Sequence, residues 1–332
     1  LYPHLSRFFH ALERFRKEEG VSYDVIHSHY WLSGQAGLWA RKAWGALHLT
    51  TFHTLAAVKM LVSGPESESA VRIDVERNLT AASDRIVVTS DRERDHLIRH
   101  YDADAARVTV IPCGVDLDRF QPVDRTAARR QIGVGPKEKL VLYVGRLAPE
   151  KGLDRLIRAV ALLGHISQLR LIVVGGDDQH DPTRRRMMDL SRSCGIGGRI
   201  AFQGRVEQSE LPRLYSAADL LALPSSYESF GMVALEALAC GTPVAATRVG
   251  AMEQLLRDPG NGRLAQDLRP ASLAAAIEDV LRNRAAGPPN RASIRRTASG
   301  YAWSRVAADV LKAYGESLTG IAPNVQQTAE RL

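Results

Sequence analysis

The sequence predicts an α/β protein built from two parallel sheets, each covered by helices. Three observations carry that expectation. Short β-rich runs alternate with helix-period segments along most of the chain, the pattern of parallel strands joined by helical crossovers. The runs fall into two groups, separated by a stretch rich in charge, glycine and proline. The length of 332 residues suits two domains at roughly 150 residues each.

Taken in order, the chain opens inside a helical pattern, with Leu5, Phe8, Phe9, Leu12 and Phe15 at helix spacing. An α/β domain commonly begins with a strand, so further material ahead of Leu1 is expected. The first strand group is Asp24 to His29, Leu47 to His53, Arg85 to Ser90 and Arg107 to Pro112. The second is Leu140 to Gly145, Leu169 to Gly175, Arg199 to Gly204, Leu220 to Pro224 and Pro243 to Thr247. Between them Asp116 to Lys139 reads as a connection, with Gly133 to Pro136 as its hinge. The domains are therefore expected at 1–123 and 124–300. Gly287 to Asn290 should break the chain before the last helical stretches. Residues 301–332 should hold a closing helix, from about Trp303 to Ser317, that crosses back to the first domain, and a polar tail that frays from Ile321.

Composition narrows the function classes. At 45% apolar and 24% charged residues the chain is neither disordered nor fibrous. Its 44 basic against 37 acidic residues give a net charge of +7, which attracts anionic ligands. Nucleic acid is disfavoured as that ligand, because no aromatic-basic interleaving or DNA-reading motif occurs. Cys113, Cys194 and Cys240 show no CxxC or Cys/His spacing, so neither a disulfide framework nor a metal site is expected, and a reduced, cytoplasmic setting fits. No apolar run approaches the ~18 to 20 residues of a membrane span. Arg184 to Arg186 leave peripheral contact with acidic lipid as an open reading beside that of a solvated face.

In doubly wound sheets ligands sit beyond the carboxyl ends of the strands, against helix N-termini. After Leu140 to Gly145 comes RLAPEKG, which places Arg146 and Lys151 around a turn that opens the helix Leu153 to Leu163. Two cations there suit a diphosphate, each charge-assisted hydrogen bond contributing roughly 1.5 to 3 kcal/mol; a solvated basic turn is the plainer reading. After Leu220 to Pro224 comes SSYESFGMVALEALACGTPV. Gly231 would let backbone amides approach a ligand at a helix start. Glu228 precedes that helix and Glu236 lies within it, with seven residues between them. Such a spacing suits two roles at two ends of a long ligand rather than action on one atom. Each also has a structural reading: Glu228 as a charge at a helix N-terminus, Glu236 as an accident of patterning that still needs a partner in so apolar a helix. A GxGxxG dinucleotide fingerprint is absent, since Gly175 and Gly176 are followed by DDQHDP.

The pair GRLAPEKG and ESFGMVALEALACGTPV, about 80 residues apart after two strands, resembles the donor site of the retaining nucleotide-sugar glycosyltransferases of family 4, which have the two-domain GT-B fold. VIPCGVDLDRF (110–120) and AADLLALP (217–224) also follow that pattern. The resemblance implies two Rossmann-like domains facing a cleft. It implies that Arg146 and Lys151 hold the donor diphosphate, that Glu228 contacts the donor sugar and Glu236 the ribose. Backbone amides of Phe230, Gly231, Met232 and Val233 would face sugar and phosphates, and Arg205 and Val206 the base. HSHYWLSGQAG (27–37) and TFHTLAAVKM (51–60) resemble a subgroup containing D-inositol-3-phosphate glycosyltransferase, with sucrose-phosphate synthase as a relative. Tyr30, Thr54 and Arg72 would then bind an acceptor phosphate, and His53 would lie beside the donor sugar. Without that resemblance Tyr30 reads as core, His53 as structural, and one of His27 and His29 as a packed histidine.

The function so implied is retaining transfer of a hexosyl group from a nucleoside-diphosphate sugar, a UDP-sugar by preference, to a phosphorylated polyol or sugar. No cofactor and no catalytic metal are implied. Transfer to fructose 6-phosphate, transfer to a lipid or polysaccharide, and donor binding without turnover stand as alternatives. The family's first strand, its glycine-rich loop and an acceptor-binding lysine have no match here, so the first domain is expected to be incomplete by about 80 to 100 residues, judged from the missing βα units.

Overall fold

The structure, a computed structural model, describes residues 1–176, 181–285 and 290–319. Most of the expected break at Gly287 to Asn290 and the whole expected tail from Ile321 lie outside the described residues. The chain forms two compact units, one made of Leu1–Pro112 with the segment from Ser304 onward, the other of Cys113–Trp303.

In the first unit β1 (Val25–His29), β2 (Leu47–Thr51), β3 (Arg85–Val88) and β4 (Val108–Val110) form a parallel sheet in the order β1-β2-β3-β4. Side chains alternate between its faces. On one face Leu49, Val87 and Ile111 pack against Val306, Val310, Ala313 and Tyr314 of the C-terminal helix Trp303–Thr319. On the other, His48 lies so close to the helix Tyr30–Trp44 that a Cβ on Gly37 would sit 2.3 Å from its Nε2. The opening helix Leu5–Glu18 uses only part of its apolar pattern internally. Phe9 contacts the rings of Trp39 and Trp44, whereas Phe8 and Phe15 are exposed.

In the second unit β5 (Lys139–Val144), β6 (Leu169–Val174), β7 (Ile200–Gly204), β8 (Leu220–Leu223), β9 (Val244–Ala246) and β10 (Gly262–Leu264) form a six-stranded parallel sheet, ordered β10-β9-β8-β5-β6-β7. Alternate residues feed two cores. Leu140, Leu142, Leu221 and Leu223 face the helix Met232–Ala239, and Val141, Tyr143, Leu220 and Ala222 face Leu153–Leu162 and Pro270–Ala285. The chain leaves β5 toward β6 and β7 and then returns to the opposite side of β5 for β8, so the strand order reverses between β5 and β8. In an open α/β sheet such a reversal leaves a crevice at the carboxyl ends of the two strands.

Two expectations require correction. Strand β10 is absent from the sequence reading, because Gly-Arg-Leu has no periodicity; pairing with β9 creates it, at a glycine (φ +146°) whose Cβ would lie 1.8 Å from the Val244 carbonyl oxygen. The Asp116 to Lys139 stretch is no linker either. Val115 N–H donates to the Tyr301 carbonyl (2.8 Å), Phe120 is buried in the second core, and Arg129 binds the carbonyls of Ala217, Gly135 and Glu138 at 2.6 to 3.0 Å. Those bonds fix the Gly133 to Pro136 turn within the second unit, and the two compact units part at Pro112, short of the expected boundary at 123/124.

Candidate functional site

The crevice between β5 and β8 is where the expected donor residues gather. The turn after β5 ends in Pro149–Lys151 and Gly152, whose φ of +68° and approach to the Pro224 carbonyl, 2.3 Å from a Cβ at that position, admit no side chain without displacement. This turn is laced to the segment after β8: Ser226 N–H donates to the Glu150 carbonyl (2.8 Å) and Arg155 to the Pro224 carbonyl. Lys151 Nζ thereby lies 2.7 Å from Glu228 Oε1, which also accepts from Ser225 Oγ at 2.8 Å. Both partners of this pair are mostly shielded, with 20% and 13% of the side chains exposed. Arg146 stands apart; its side chain is 77% exposed and, among the described residues, reaches Glu150 at 3.4 Å.

The helix Met232–Ala239 starts beside this pair with Gly231 at φ +100° and no side-chain cap. Its first amides are left for a ligand or water, and Met252 packs where a Cβ on Gly231 would be, 2.6 Å from its Cε. The Phe230 ring is buried, 6.1 Å from that of Tyr301, so only its backbone is available to a ligand. Glu236 is 7% exposed. Burial pushes its carboxyl up to about 7, even though it accepts a hydrogen bond from the Tyr215 hydroxyl at 2.7 Å. Val206 lies past β7, half-buried against the core that holds this helix.

At the carboxyl ends of β1 and β2 the first unit holds a second cluster. Tyr30 and His53 both adopt positive φ, +75° and +62°, a conformation that costs about 1 to 3 kcal/mol at a non-glycine residue and marks a constrained site. Arg72 joins Tyr30 to Thr54: its guanidinium carbon lies 5.0 Å over the Tyr30 ring, and Nη2 donates to both the carbonyl and hydroxyl of Thr54 at 2.9 Å. Arg72 is not a bare cation. It is 2% exposed and held between Glu76 (2.7 Å) and Glu68 (2.9 Å), and Glu68 also pairs with Lys59. Sequence reasoning passed over Glu68 and Glu76, which stand four positions either side of Arg72, Glu76 within its helix Ala70–Ala82 and Glu68 just ahead of it.

Three histidines, His27, His29 and His53, form one connected group. His27 Nδ1 bonds the Tyr314 hydroxyl and Nε2 the Thr51 hydroxyl, both at 2.8 Å, so His27 is a packed, hydrogen-bonded histidine. Its ring stacks on His29 at 4.4 Å, and His29 Nδ1 lies 2.9 Å from His53 Nε2. On the opposite face His48 Nε2 lies 2.8 Å from the Ser28 hydroxyl. Burial holds all four below the ordinary histidine value of 6.5, His27 and His48 at about 4. For these groups the unfolded chain binds protons more tightly, so their contribution to stability is intact above pH 6.5 and is lost as pH falls toward 4. Between pH 7 and pH 5 the first unit should lose about 4 kcal/mol through His27 and His48 together, read as a falling urea midpoint; a flat midpoint over that range would contradict their buried, neutral state.

A family model described as "Glycosyl transferases group 1" matches residues 124–299, and one described as "Glycosyltransferase Family 4" matches residues 1–119. The chain belongs to the family 4 glycosyltransferases. This glycosyltransferase is 41% identical over 308 residues to a D-inositol 3-phosphate glycosyltransferase of Rhodococcus opacus, across 91% of its own length and 69% of the relative's. Among solved structures, sucrose-phosphate synthase from Thermosynechococcus elongatus superposes with a TM-score of 0.85 at 33% identity, over 97% of this chain and 80% of that one. Anabaena HepE, solved with UDP, shares the fold at a TM-score of 0.80 and 22% identity, over 95% and 82% of the two chains. The enzyme is therefore a transferase of GT-B fold with two Rossmann-like domains. No helix among its described residues is long and apolar enough to cross a membrane.

Proposed function

We propose that this glycosyltransferase moves a hexosyl group, with retention, from a UDP-sugar to a phosphorylated polyol or sugar in the cytoplasm. The observation that carries the reading is the Lys151–Glu228 pair at the β5/β8 crevice, beside an uncapped helix N-terminus. In this reading Lys151 and the exposed Arg146 hold the diphosphate and offset the charge that develops on it as it departs. Amides at Phe230, Gly231, Met232 and Val233 face sugar and phosphates, Glu228 takes sugar hydroxyls, Glu236 the ribose diol, and Val206 meets the base. The bond between the anomeric carbon and the diphosphate oxygen breaks, and the acceptor hydroxyl bonds to the same face of that carbon. Its proton passes to the departing phosphate oxygen. No cofactor enters this scheme; the nucleotide sugar is a substrate.

On the acceptor side Tyr30, Thr54 and Arg72 receive the phosphate, and His53 stands beside the donor sugar. The relatives named for inositol 3-phosphate and sucrose phosphate favour a phosphorylated acceptor. Arg72 then serves both as the centre of its own ion network and as one wall of the phosphate site. The test is a screen of nucleotide sugars against phosphorylated acceptors, with UDP binding followed by calorimetry. Turnover with a phosphorylated acceptor alone supports the reading; UDP binding without transfer to any acceptor replaces it with that of a donor-binding module. Arg72→Ala should raise the KM for the acceptor far more than that for the donor, and the reverse order would overturn the phosphate site.

A further inference from the structure

The stacked histidines at the end of the first sheet outnumber what the proposed reaction uses. His53 alone has a role in it. His29 is exposed at the carboxyl end of β1, and its Nδ1 faces His53 Nε2 at 2.9 Å, a separation that holds one proton between two imidazole nitrogens. Their rings lie 5.1 Å apart at an interplanar angle of 21°. Behind His29 the ring of His27 stacks at 4.4 Å, itself clamped between Thr51 and Tyr314.

We propose that His29 is a positioning residue that selects the tautomer and ring orientation of His53. The proposal rests on the reading of His53 as the residue beside the donor sugar. A neutral imidazole with one nitrogen engaged presents the other in a defined state, acceptor or donor. With the ring of His29 protonated at Nε2, its Nδ1 lone pair accepts the Nε2–H of His53, and His53 Nδ1 becomes a bare acceptor. That atom can take a hydrogen bond from a sugar hydroxyl. The arrangement opposes a second proton: an additional one on His53 Nδ1 makes a cation beside the imidazole of His29, in a place where burial already disfavours charge. The left-handed backbone at His53 (φ +62°) turns its ring toward His29, and the stack of His27 on His29 resists rotation of the latter. The titratable groups that adjoin this pair are His27 on β1, stacked on His29, and behind it Tyr314 on the C-terminal helix; His48 lies on the opposite face of the sheet, bonded to Ser28.

Two substitutions separate the hydrogen bond from the stack. His29→Phe keeps a ring against His27 and removes the nitrogen; His29→Asn keeps a polar atom near the position of Nδ1 and removes the ring. Nitrogen-15 imidazole spectra of the wild-type chain should show His53 as a single Nε2–H tautomer. In His29→Phe the His53 signals should move to the averaged shifts of mixed tautomers, and kcat should fall by about 10-fold with the donor KM unchanged; His29→Asn should restore both in part. An unaltered His53 tautomer in a folded His29→Phe chain would overturn the proposal, as would a loss confined to KM. Should His29→Phe fail to fold, His29→Ala removes the same nitrogen, and an unaltered His53 tautomer in that variant overturns the proposal. The spectra read the tautomer without turnover, so an enzyme inactive on every nucleotide sugar would refute the functional reading and leave this one standing or falling by itself.

Discussion

Lys151→Ala is expected to lower sugar transfer at least 100-fold, about 2.7 kcal/mol of transition-state stabilisation. Two consequences of one geometry add up to that loss. The departing diphosphate gains negative charge as its bond to the sugar breaks, and a fixed cation at the mouth of the β5/β8 crevice opposes that charge more strongly in the transition state than in the ground state. Glu228, 13% exposed and 2.7 Å from the lysine, would also be left with only Ser225 as a partner, and a shielded carboxylate without its cation is costly. Lys151→Arg keeps the charge, but a planar, longer fork does not occupy the place of an ammonium, so most of the loss should remain. Initial rates over a range of UDP-sugar measure it. A Lys151→Ala enzyme with the wild-type kcat would reject the donor site placed here.

Glu236→Gln should stabilise the protein and weaken the nucleotide. The folded chain binds the Glu236 proton more tightly than the unfolded one, the carboxyl standing at about 7 instead of 4.5. Its cost is nil below pH 4.5 and grows as pH rises through 7, reaching on the order of 3 kcal/mol at pH 8. Glutamine carries no charge to desolvate and still accepts from the Tyr215 hydroxyl. The variant should therefore melt several degrees higher at pH 8, with the gain vanishing near pH 4. UDP affinity should fall roughly 10- to 100-fold, the 1.5 to 3 kcal/mol of a hydrogen bond to a charged acceptor. A site that sacrifices stability for function is expected to behave in this way. Melting curves at the two pH values and a calorimetric titration with UDP check both halves; equal affinities would remove Glu236 from the ribose.

Much of the architecture was legible in the sequence. Nine strands were readable because central parallel strands are continuous apolar runs such as LVLYV and LRLIVV, a signal that Gly262–Leu264 lacks. Asp116 to Lys139 reads as a connection from its charge and glycine, whereas Arg129 pins it to Ala217, a residue that nothing in the local pattern connects to it. The residues of the proposed donor site, Lys151, Glu228 and Glu236, stand out in the sequence because they occupy segments that follow strands. Their partners do not. Tyr215 meets Glu236 from another helix, and the burial of Arg72 between Glu68 and Glu76 depends on the turn that precedes its helix. Likewise the bond from His29 to His53 joins neighbouring strands, and register across a parallel pair cannot be read from either strand by itself.

The first unit is discontinuous in the chain, since Leu49, Val87 and Ile111 find Val306 and Ala313 only across the whole of Cys113–Trp303. During synthesis, every residue of the second sheet leaves the ribosome before the helix that covers the first. The face of β2 and β3 later buried by that helix is meanwhile bare, and closing so long a loop is entropically unfavourable and slow. The second unit can therefore complete its core early, while the first waits for the final helix with an apolar sheet face open to misassembly. A ribosome stalled before Trp303 should present a protease-resistant second unit behind a labile first one.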